Sequence, residues 1–464
     1  MAEIKPFRGW RYSPGVGPLD RLVTPPYDVI DAAAQEEYYR RHPYNIIRLE
    51  YGKVYPEDTE ENNRYTRAAA YFKAWREDKV LVPEDQPALY LYEQEFTIKG
   101  SRLTRTGLIC RVKLEPYKKG IILPHEETLP RHKADRLALL RACEANFSPI
   151  FGLYMDPERQ VEEVLRRALT YDGGIRRPDV EFTDEDGQVH RLWVIMDPWV
   201  LNQVEELLAP KRIFIADGHH RYETALAYQR ERREQEGFST GERPYDYVLM
   251  TLVNLYDPGL VILPTHRLVR NLENLDEDSL LEGIKEHFTI EPFSLAPDYS
   301  NFSEFLKKME EKGGLLPEGV AEEKLFKSPC FMPHGHAFGL YCGEGRLYLL
   351  TLREEGDLSS LMPPGPSLAW KGLDVSVLHC LILEKLLGIG GVERAEEKHL
   401  AYTREEEGAL RAVDSGEYQL AFFLNPTRVE EVKLVAEAGE KMPQKSTYFY
   451  PKLITGLVIN SLEE

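Results

Sequence analysis

This sequence of 464 residues has no long apolar run, few cysteines and no excess of positive charge. No run of apolar residues approaches the roughly 20 residues that span a bilayer, and residues 1–6 lack the apolar core of a signal peptide. We therefore expect a cytoplasmic protein without a membrane partner. Its five cysteines show no Cys-x-x-Cys spacing, which argues against a zinc knuckle and against a disulfide framework.

The chain carries 58 basic and 77 acidic residues, a formal net charge of −19. Because nucleic acids bind to basic surfaces that release counterions, this charge argues against a nucleic-acid partner. An anionic small molecule can still bind where basic residues concentrate, and we expect a small-molecule substrate. One basic cluster stands out, which is either such a patch or a solvated helix face: Lys118, Lys119, Arg131, His132, Lys133 and Arg136.

The length predicts two or three domains. Strand-like and helix-like segments alternate irregularly up to about residue 270, which favours a mixed sheet with packed helices over a doubly wound fold. The pattern then restarts, so we expect an N-terminal region at 1–270 and a second α+β domain at 271–464. The overall fold class is α+β.

Several local signals mark individual elements. Lys99-Gly100-Ser101 and Asp186-Gly187 each separate two β-rich runs and predict hairpins. Asp58 with Glu61 resembles a capping box before an amphipathic helix.

The segment from Arg212 to Leu226 concentrates the most chemistry. Residues 212–216 have the length and β-branched content of a buried strand, Asp217-Gly218 supplies a turn, and His219-His220-Arg221 opens a helix. The first turn of a helix attracts anions through its N–H groups and dipole, and an arginine can grip phosphate oxygens. The segment therefore predicts a phosphate site. In the alternative interpretation Asp217 only caps the helix and both histidines are ordinary residues.

A second segment, His125-Glu126, follows a strand-like run about ninety residues earlier. It does not open a zinc-protease helix, because Leu129 stands where the second histidine is needed. Lys445-Ser446 resembles the end of a Walker loop, but Gln444 replaces the glycine that precedes the lysine. Lys445 can still lend a cationic side chain.

The order of these motifs carries a resemblance. Residues 110–270, approximately, resemble the ParB/sulfiredoxin-like fold, and most closely the ParB-like free serine kinases. The resemblance rests on the order of strand, His-Glu, helix, the stretch 146–150, strand and Asp-Gly-His-His-Arg-Tyr. The whole chain is also similar to a widespread uncharacterised prokaryotic family, whose recurring stretches stand here at 24–30, 45–50, 264–267 and 445–451.

The kinase resemblance implies a nucleotide-dependent phosphotransferase that acts on a small hydroxylated metabolite, with serine as the first candidate acceptor. His125-Glu126 then forms the catalytic motif, with Glu126 as base toward the hydroxyl. Asp217, Gly218, His219, His220 and Arg221 would bind ADP or ATP. His219 stands where sulfiredoxins carry their reactive cysteine, which removes that chemistry.

Asp217 is also a candidate ligand for Mg²⁺, since a carboxylate beside a phosphate cradle suits that ion. Glu126 has an alternative interpretation as a helix-dipole charge. Weaker site candidates are Asp28, Arg48, Glu50, Arg136, His266, Arg267 and Lys445.

Two other functions fit the same motifs. A phosphatase or nucleotidase would let Glu126 activate water, and a nucleotide-gated binding module, working as a homodimer, would bind without turnover.

Overall fold

The computed structural model describes residues 1–126, 130–171, 174–237, 240–314, 335–353, 358–391, 393 and 398–463. The chain divides into two compact units, the first formed by Met1–Val261 with Phe449–Glu464 and the second by Ile262–Tyr448. The sequence pattern places this boundary near residue 270 and assigns every later residue to the second domain. The last residues instead return to the first unit, because apolar side chains such as Ile459 are buried in its core.

The first unit contains both long and very short strands. They are β1 (Ile4–Lys5), β2 (Trp10–Tyr12), β3 (Leu81–Pro83), β4 (Leu89–Ile98), β5 (Ser101–Lys113), β6 (Ile122–Leu123), β7 (Ala145–Asn146), β8 (Ile150–Tyr154), β9 (Thr170–Tyr171), β10 (Gly174–Ile175), β11 (Val180–Thr183), β12 (Val189–Ile195), β13 (Ile213–Asp217) and β14 (Tyr247–Asn254).

Nine of these strands form one sheet in the order β11-β12-β4-β5-β14-β8-β13-β6, with β1 also paired to β5. The pairs β14–β8 and β13–β6 are parallel, and the other pairs in this sheet are antiparallel. The sheet is therefore mixed, and the α+β class expected from the sequence is confirmed.

Seven α-helices are described in the first unit: α1 (Ala32–Arg41), α2 (Ile47–Glu50), α3 (Arg64–Glu77), α4 (Pro130–Cys143), α5 (Gln160–Ala168), α6 (Pro198–Leu208) and α7 (His219–Gln235). Helix α7 packs against α4, and α3 packs against α2 and α4. Single 3₁₀ turns lie at Leu19–Arg21, Tyr27–Val29, Tyr117–Lys119 and Pro244–Asp246.

Local turn chemistry places several of these elements. Lys99 and Gly100 adopt positive φ angles of 46° and 80° between β4 and β5, and Gly187, with a φ of 77°, turns the chain between β11 and β12. Both predicted hairpins are confirmed. The predicted capping box before α3 is wrong, because Asn63, with Thr66, caps the helix, whereas Asp58 accepts hydrogen bonds from Arg67.

The second unit is built on an antiparallel sheet. Short strands β15 (Val261–Leu263) and β22 (Tyr448–Tyr450) lie at the unit boundary. The other strands are β16 (His266–Val269), β17 (Phe288–Ser294), β18 (Ala337–Tyr341), β19 (Arg346–Leu352), β20 (Leu400–Thr403) and β21 (Leu420–Leu424). Their order is β17-β19-β18-β21-β16-β20, and every pair in it is antiparallel.

The helices described in this unit are α8 (Glu277–Ile284), α9 (Phe302–Lys312), α10 (Leu358–Leu361), α11 (Leu368–Lys371), α12 (Asp374–Leu378), α13 (Glu406–Asp414) and α14 (Val429–Glu437), with a π turn at His379–Glu384. The last strand, β23 (Asn460–Ser461), belongs to the first unit and pairs there with β7. Across the described ranges we find no helix with the length and apolar content to cross a membrane.

Candidate functional site

The Asp-Gly turn joins β13 to α7 as the sequence predicts. The side chains of Phe214 and Ile215 are buried, and Gly218 follows Asp217 with a φ of 94°, in the left-handed region that glycine enters without strain. Gly218 is the N-cap of α7 and provides no side-chain hydrogen bond there, and the positive end of the helix dipole lies at this turn. A Cβ on Gly218 would lie 3.0 Å from the guanidinium of Arg221.

Two cations hold the carboxylate of Asp217. Arg221 donates to Oδ2 over 2.9 Å and also to the Pro149 carbonyl over 2.6 Å, and Lys452 Nζ lies 2.6 Å from Oδ1. Burial alone would raise the pKa of Asp217, but the charges of Lys452 and Arg221 outweigh it and hold the pKa well below its usual range. Sequence reasoning missed Lys452, which directly follows the recurring stretch at 445–451.

His125 and Glu126 lie beside the same turn. Strand β6 pairs in parallel with β13, and this register brings His125 next to His219, with ring centroids 4.7 Å apart. The amide of His125 donates to Nε2 of His219 over 3.2 Å, which assigns the proton of a neutral His219 to Nδ1. That nitrogen lies 4.0 Å from Oε2 of Glu126.

His125 is held as a neutral imidazole. Its Nδ1 lies 2.6 Å from the Ile215 carbonyl oxygen, which can only accept, so Nδ1 carries the proton. Burial lowers the pKa of His125 to about 4. The fourth predicted member of the turn, His220, lies half-buried in the first turn of α7.

Two weaker candidates, Glu50 and Arg136, form an ion pair beside a cavity that Arg221 also lines. Arg136 donates to the Glu50 carboxylate over 3.2 Å and to its carbonyl over 2.9 Å, and Ser148 donates to the same carboxylate over 2.9 Å. Burial raises the pKa of Glu50 against the opposing charges of Arg136 and Arg221. These residues line a small cavity of about 40 Å³ that also touches Thr224.

The remaining weak candidates have other contacts. Asp28 is exposed, and Arg48 donates to the Tyr39 carbonyl and stacks on the Tyr39 ring. The second unit contains His266, Arg267 and Lys445.

In that unit the ring of His266 is buried and its Nδ1 accepts from the Leu424 amide, while burial lowers its pKa to about 3. Buried Arg267 donates to the carbonyl of Lys445 over 3.1 Å. These contacts are those of residues that hold the second unit together.

The basic cluster predicted from the sequence is largely ion-paired where it is described. Lys119 pairs with Glu115, Lys133 with Glu223 over 3.0 Å, and Arg136 with Glu50. The side chains of Arg131 and His132 lie outside the described residues.

The residues around Asp217 do not fit a protein-held Mg²⁺. Both carboxylate oxygens contact cationic nitrogens, which compete with a metal ion for the same lone pairs. Within the described part of the chain, no group of three His, Cys, Asp or Glu side chains is placed to hold a metal ion. The expected magnesium role of Asp217 therefore finds no support in this geometry.

The model of one protein family, described as "Protein of unknown function (DUF1015)", matches residues 4–376. The resemblance of the whole chain to an uncharacterised family is thereby confirmed. No curated protein matches the chain.

Three solved structures illustrate the structural likeness. A conserved hypothetical protein from Pyrococcus furiosus is 14% identical, with 75% of this chain and 92% of that chain covered and a TM-score of 0.31. A free serine kinase in complex with AMP is 14% identical over 74% and 86%, with a TM-score of 0.32. SbnI with a C-terminal truncation, from Staphylococcus aureus, is 11% identical over 75% and 85%, with a TM-score of 0.30.

Proposed function

We propose that this chain, which belongs to the DUF1015 family, is a nucleotide-dependent phosphotransferase that acts on a small hydroxylated metabolite, with serine as the first acceptor to test. One observation carries the proposal. Glu126 and the Asp217 turn, about ninety residues apart in sequence, lie in one corner, where Oε2 of Glu126 is 4.0 Å from Nδ1 of His219. The proposal includes a ParB/sulfiredoxin-like fold for residues 110–270.

In this proposal, the first turn of α7 binds the nucleotide phosphates. Its N–H groups and dipole attract the phosphates of ADP or ATP, and Gly218 keeps the approach to them open. Arg221 adds a fixed guanidinium charge at the same place. A chain of net charge −19 would otherwise repel such a ligand, so the site needs these local donors.

Glu126 acts as the general base of phosphoryl transfer. Its carboxylate accepts the proton of the acceptor hydroxyl while that oxygen bonds to the terminal phosphorus and the bond from phosphorus to the leaving phosphate breaks. His219, whose Nε2 accepts from the His125 amide, places its Nδ1 4.0 Å from Oε2 of this carboxylate, so the imidazole lies beside the base. Phosphoryl transfer depends chiefly on such positioning and on charge stabilisation.

A transfer assay on the full-length protein tests the proposal. ADP or ATP with serine, homoserine or glycerate is followed by ³¹P NMR, and binding is followed in parallel by thermal shift. We expect Glu126→Gln to retain nucleotide binding and to lower phosphoryl transfer by about 100-fold or more, the usual contribution of a general base. The matched control is Glu231→Gln, which lies farther along α7 and breaks an ion pair with Arg141 of α4. This variant should transfer phosphate at the wild-type rate.

The outcomes separate the three candidate functions. Inorganic phosphate released without an acceptor product would favour the phosphatase or nucleotidase. Tight nucleotide binding with no turnover, coupled to dimerisation, would favour the nucleotide-gated module. A wild-type protein that binds no nucleotide would contradict the phosphotransferase, the nucleotidase and the nucleotide-gated module.

A further inference from the structure

We infer that Lys452 is a phosphate-binding residue of this site, held beside the first turn of α7 by Asp217 and presented there by buried Arg105. The inference rests on the proposed nucleotide function and extends it to a residue from the far end of the chain. It also gives Asp217 a role that its geometry fits, which is to position two cations.

Two cations and a carboxylate meet at the turn before α7. Lys452 and Arg221 both contact Asp217, and the three side chains are 11%, 11% and 19% exposed. Two cations therefore contact one carboxylate in a poorly solvated corner, next to the positive end of the α7 dipole, and the Glu126 carboxylate lies 4.0 Å from His219 in the same corner. A phosphate that approaches the first turn of α7 meets both cations there.

Side chains of the nine-stranded sheet hold the backbone around Lys452. The guanidinium of Arg105 donates to the carbonyls of Tyr450 and Pro451, over 3.2 Å and 2.6 Å, and Gln94 donates to the carbonyl of Lys452 over 2.9 Å. Three consecutive carbonyls are thereby fixed from strands β4 and β5. The segment can then deliver its side chain to one defined place.

Arg105 makes this clamp at a cost. The residue is 1% exposed, and burial lowers its pKa to about 10. The Arg105 guanidinium also donates to the Gln94 side-chain amide and lies over the ring of Phe151. Burying a charged group in this way costs desolvation free energy. The effect of the clamp is to fix the position of Lys452, so we assign Arg105 as a positioning residue.

An aromatic side chain of the same segment lies against the His125 corner. Phe449, in the same segment, packs against the rings of His125 and Phe151, with centroids 6.1 Å and 5.5 Å away. The segment therefore runs from the His125 corner to Asp217. A lysine ammonium is a compact charge on a flexible stem, so it can move from Asp217 to a phosphate oxygen without moving its backbone.

Calorimetric titration of the full chain with ADP, with adenosine and with inorganic pyrophosphate tests the inference. We expect Lys452→Met to weaken ADP and pyrophosphate binding by about ten- to hundredfold, as for the loss of one hydrogen bond to a charged group, and to leave adenosine binding unchanged. Lys452→Arg should recover part of the loss. Lys211→Met, which removes a similarly buried lysine 3.2 Å from Asp156, is the control and should bind ADP as the wild type does.

A second readout needs no variant. ADP should protect Lys452 of the wild-type protein from acylation by an amine-reactive reagent, measured by mass spectrometry, and adenosine should not. Unchanged ADP affinity in Lys452→Met, equal losses for ADP and adenosine, or the absence of protection would overturn the inference while the proposed function stands. A wild-type protein that binds neither ADP, ATP nor pyrophosphate would overturn both.

Discussion

At the scale of single residues, Gly218 has two separate roles that substitution can divide. Its φ of 94° costs any other residue about 1–2 kcal/mol, and a Cβ there would push against the Arg221 guanidinium 3.0 Å away. Gly187, with a φ of 77° and no described atom within 4 Å of where a Cβ would stand, has only the first role. The pair therefore separates backbone strain from damage to the site.

We expect Gly218→Ala and Gly187→Ala to lower the free energy of unfolding by similar amounts, about 1–2 kcal/mol each. Only Gly218→Ala should also weaken nucleotide binding, because it displaces Arg221. Urea denaturation gives the first quantity and ADP titration the second. Equal ADP affinity in both variants would show that the position of Arg221 does not matter for binding.

His125 makes stability depend on pH. The folded protein keeps this imidazole neutral down to about pH 4, whereas the unfolded chain binds a proton near its ordinary value of 6.5. The unfolded state is therefore favoured as the pH falls through this window, and stability is lost, by up to about 3 kcal/mol from this residue at pH 4.

His125→Asn can keep the hydrogen bond to Ile215 but has no proton to gain. We expect it to flatten the fall of unfolding free energy between pH 6.5 and pH 4, measured by urea denaturation at each pH. A variant that loses stability with pH as steeply as the wild type would place the titration elsewhere, for example at His266.

These residues also show what sequence can and cannot give at this scale. Asp217 to Arg221 are contiguous, so their shared turn follows from local patterns. Lys452 reaches Asp217 from 235 positions away, and no period or spacing connects them. The expectation of magnesium at Asp217 has the same origin, because the sequence shows the carboxylate without its two cations.

At the scale of elements, the start of α3 shows how two similar signals compete. Both Asp58 with Glu61 and Asn63 with Thr66 have the spacing of a capping box. Asp58 instead accepts two hydrogen bonds from Arg67, over 2.6 Å and 3.0 Å, so the helix begins only after Asn63. The choice depends on a side-chain contact that a pattern does not contain.

Substitution at the two positions tests this assignment. We expect Asn63→Ala to lower the free energy of unfolding by about 1 kcal/mol, since Asn63 accepts from the amides of Tyr65 and Thr66. Glu61→Ala, at an exposed position outside the helix, should leave it within about 0.5 kcal/mol. A larger loss of unfolding free energy in Glu61→Ala than in Asn63→Ala, measured by thermal or urea unfolding, would instead support the capping box predicted from the sequence.

Hairpins are easier to predict than caps. Lys99-Gly100 and Asp186-Gly187 combine a turn signal with β-rich runs on both sides, so the turn and the strands both predict a hairpin. The pairing of β6 with β13, which brings the two halves of the site together, has no such local signal because its strands lie far apart in the chain.

At the scale of the whole molecule, the return of residues 449–464 to the first unit sets the limit on what can be removed. Buried apolar side chains in this segment are Phe449, Leu453, Ile454, Leu457, Val458, Ile459 and Leu462. At about 1.5–3 kcal/mol for each buried side chain, their loss is comparable to the whole stability of a typical domain. The segment is therefore part of the first unit's core as well as the carrier of Lys452.

A chain that stops at Tyr448 should lose the first unit. We expect hydrogen–deuterium exchange to show unprotected amides in strands β5, β8 and β13, with protection retained in the antiparallel sheet of the second unit. The full-length Lys452→Met variant keeps the packing of the segment and should protect both sheets. Protection of β13 in the shortened chain would mean that Met1–Val261 holds its core without the returning segment, and the site would then depend on that segment for Lys452 alone.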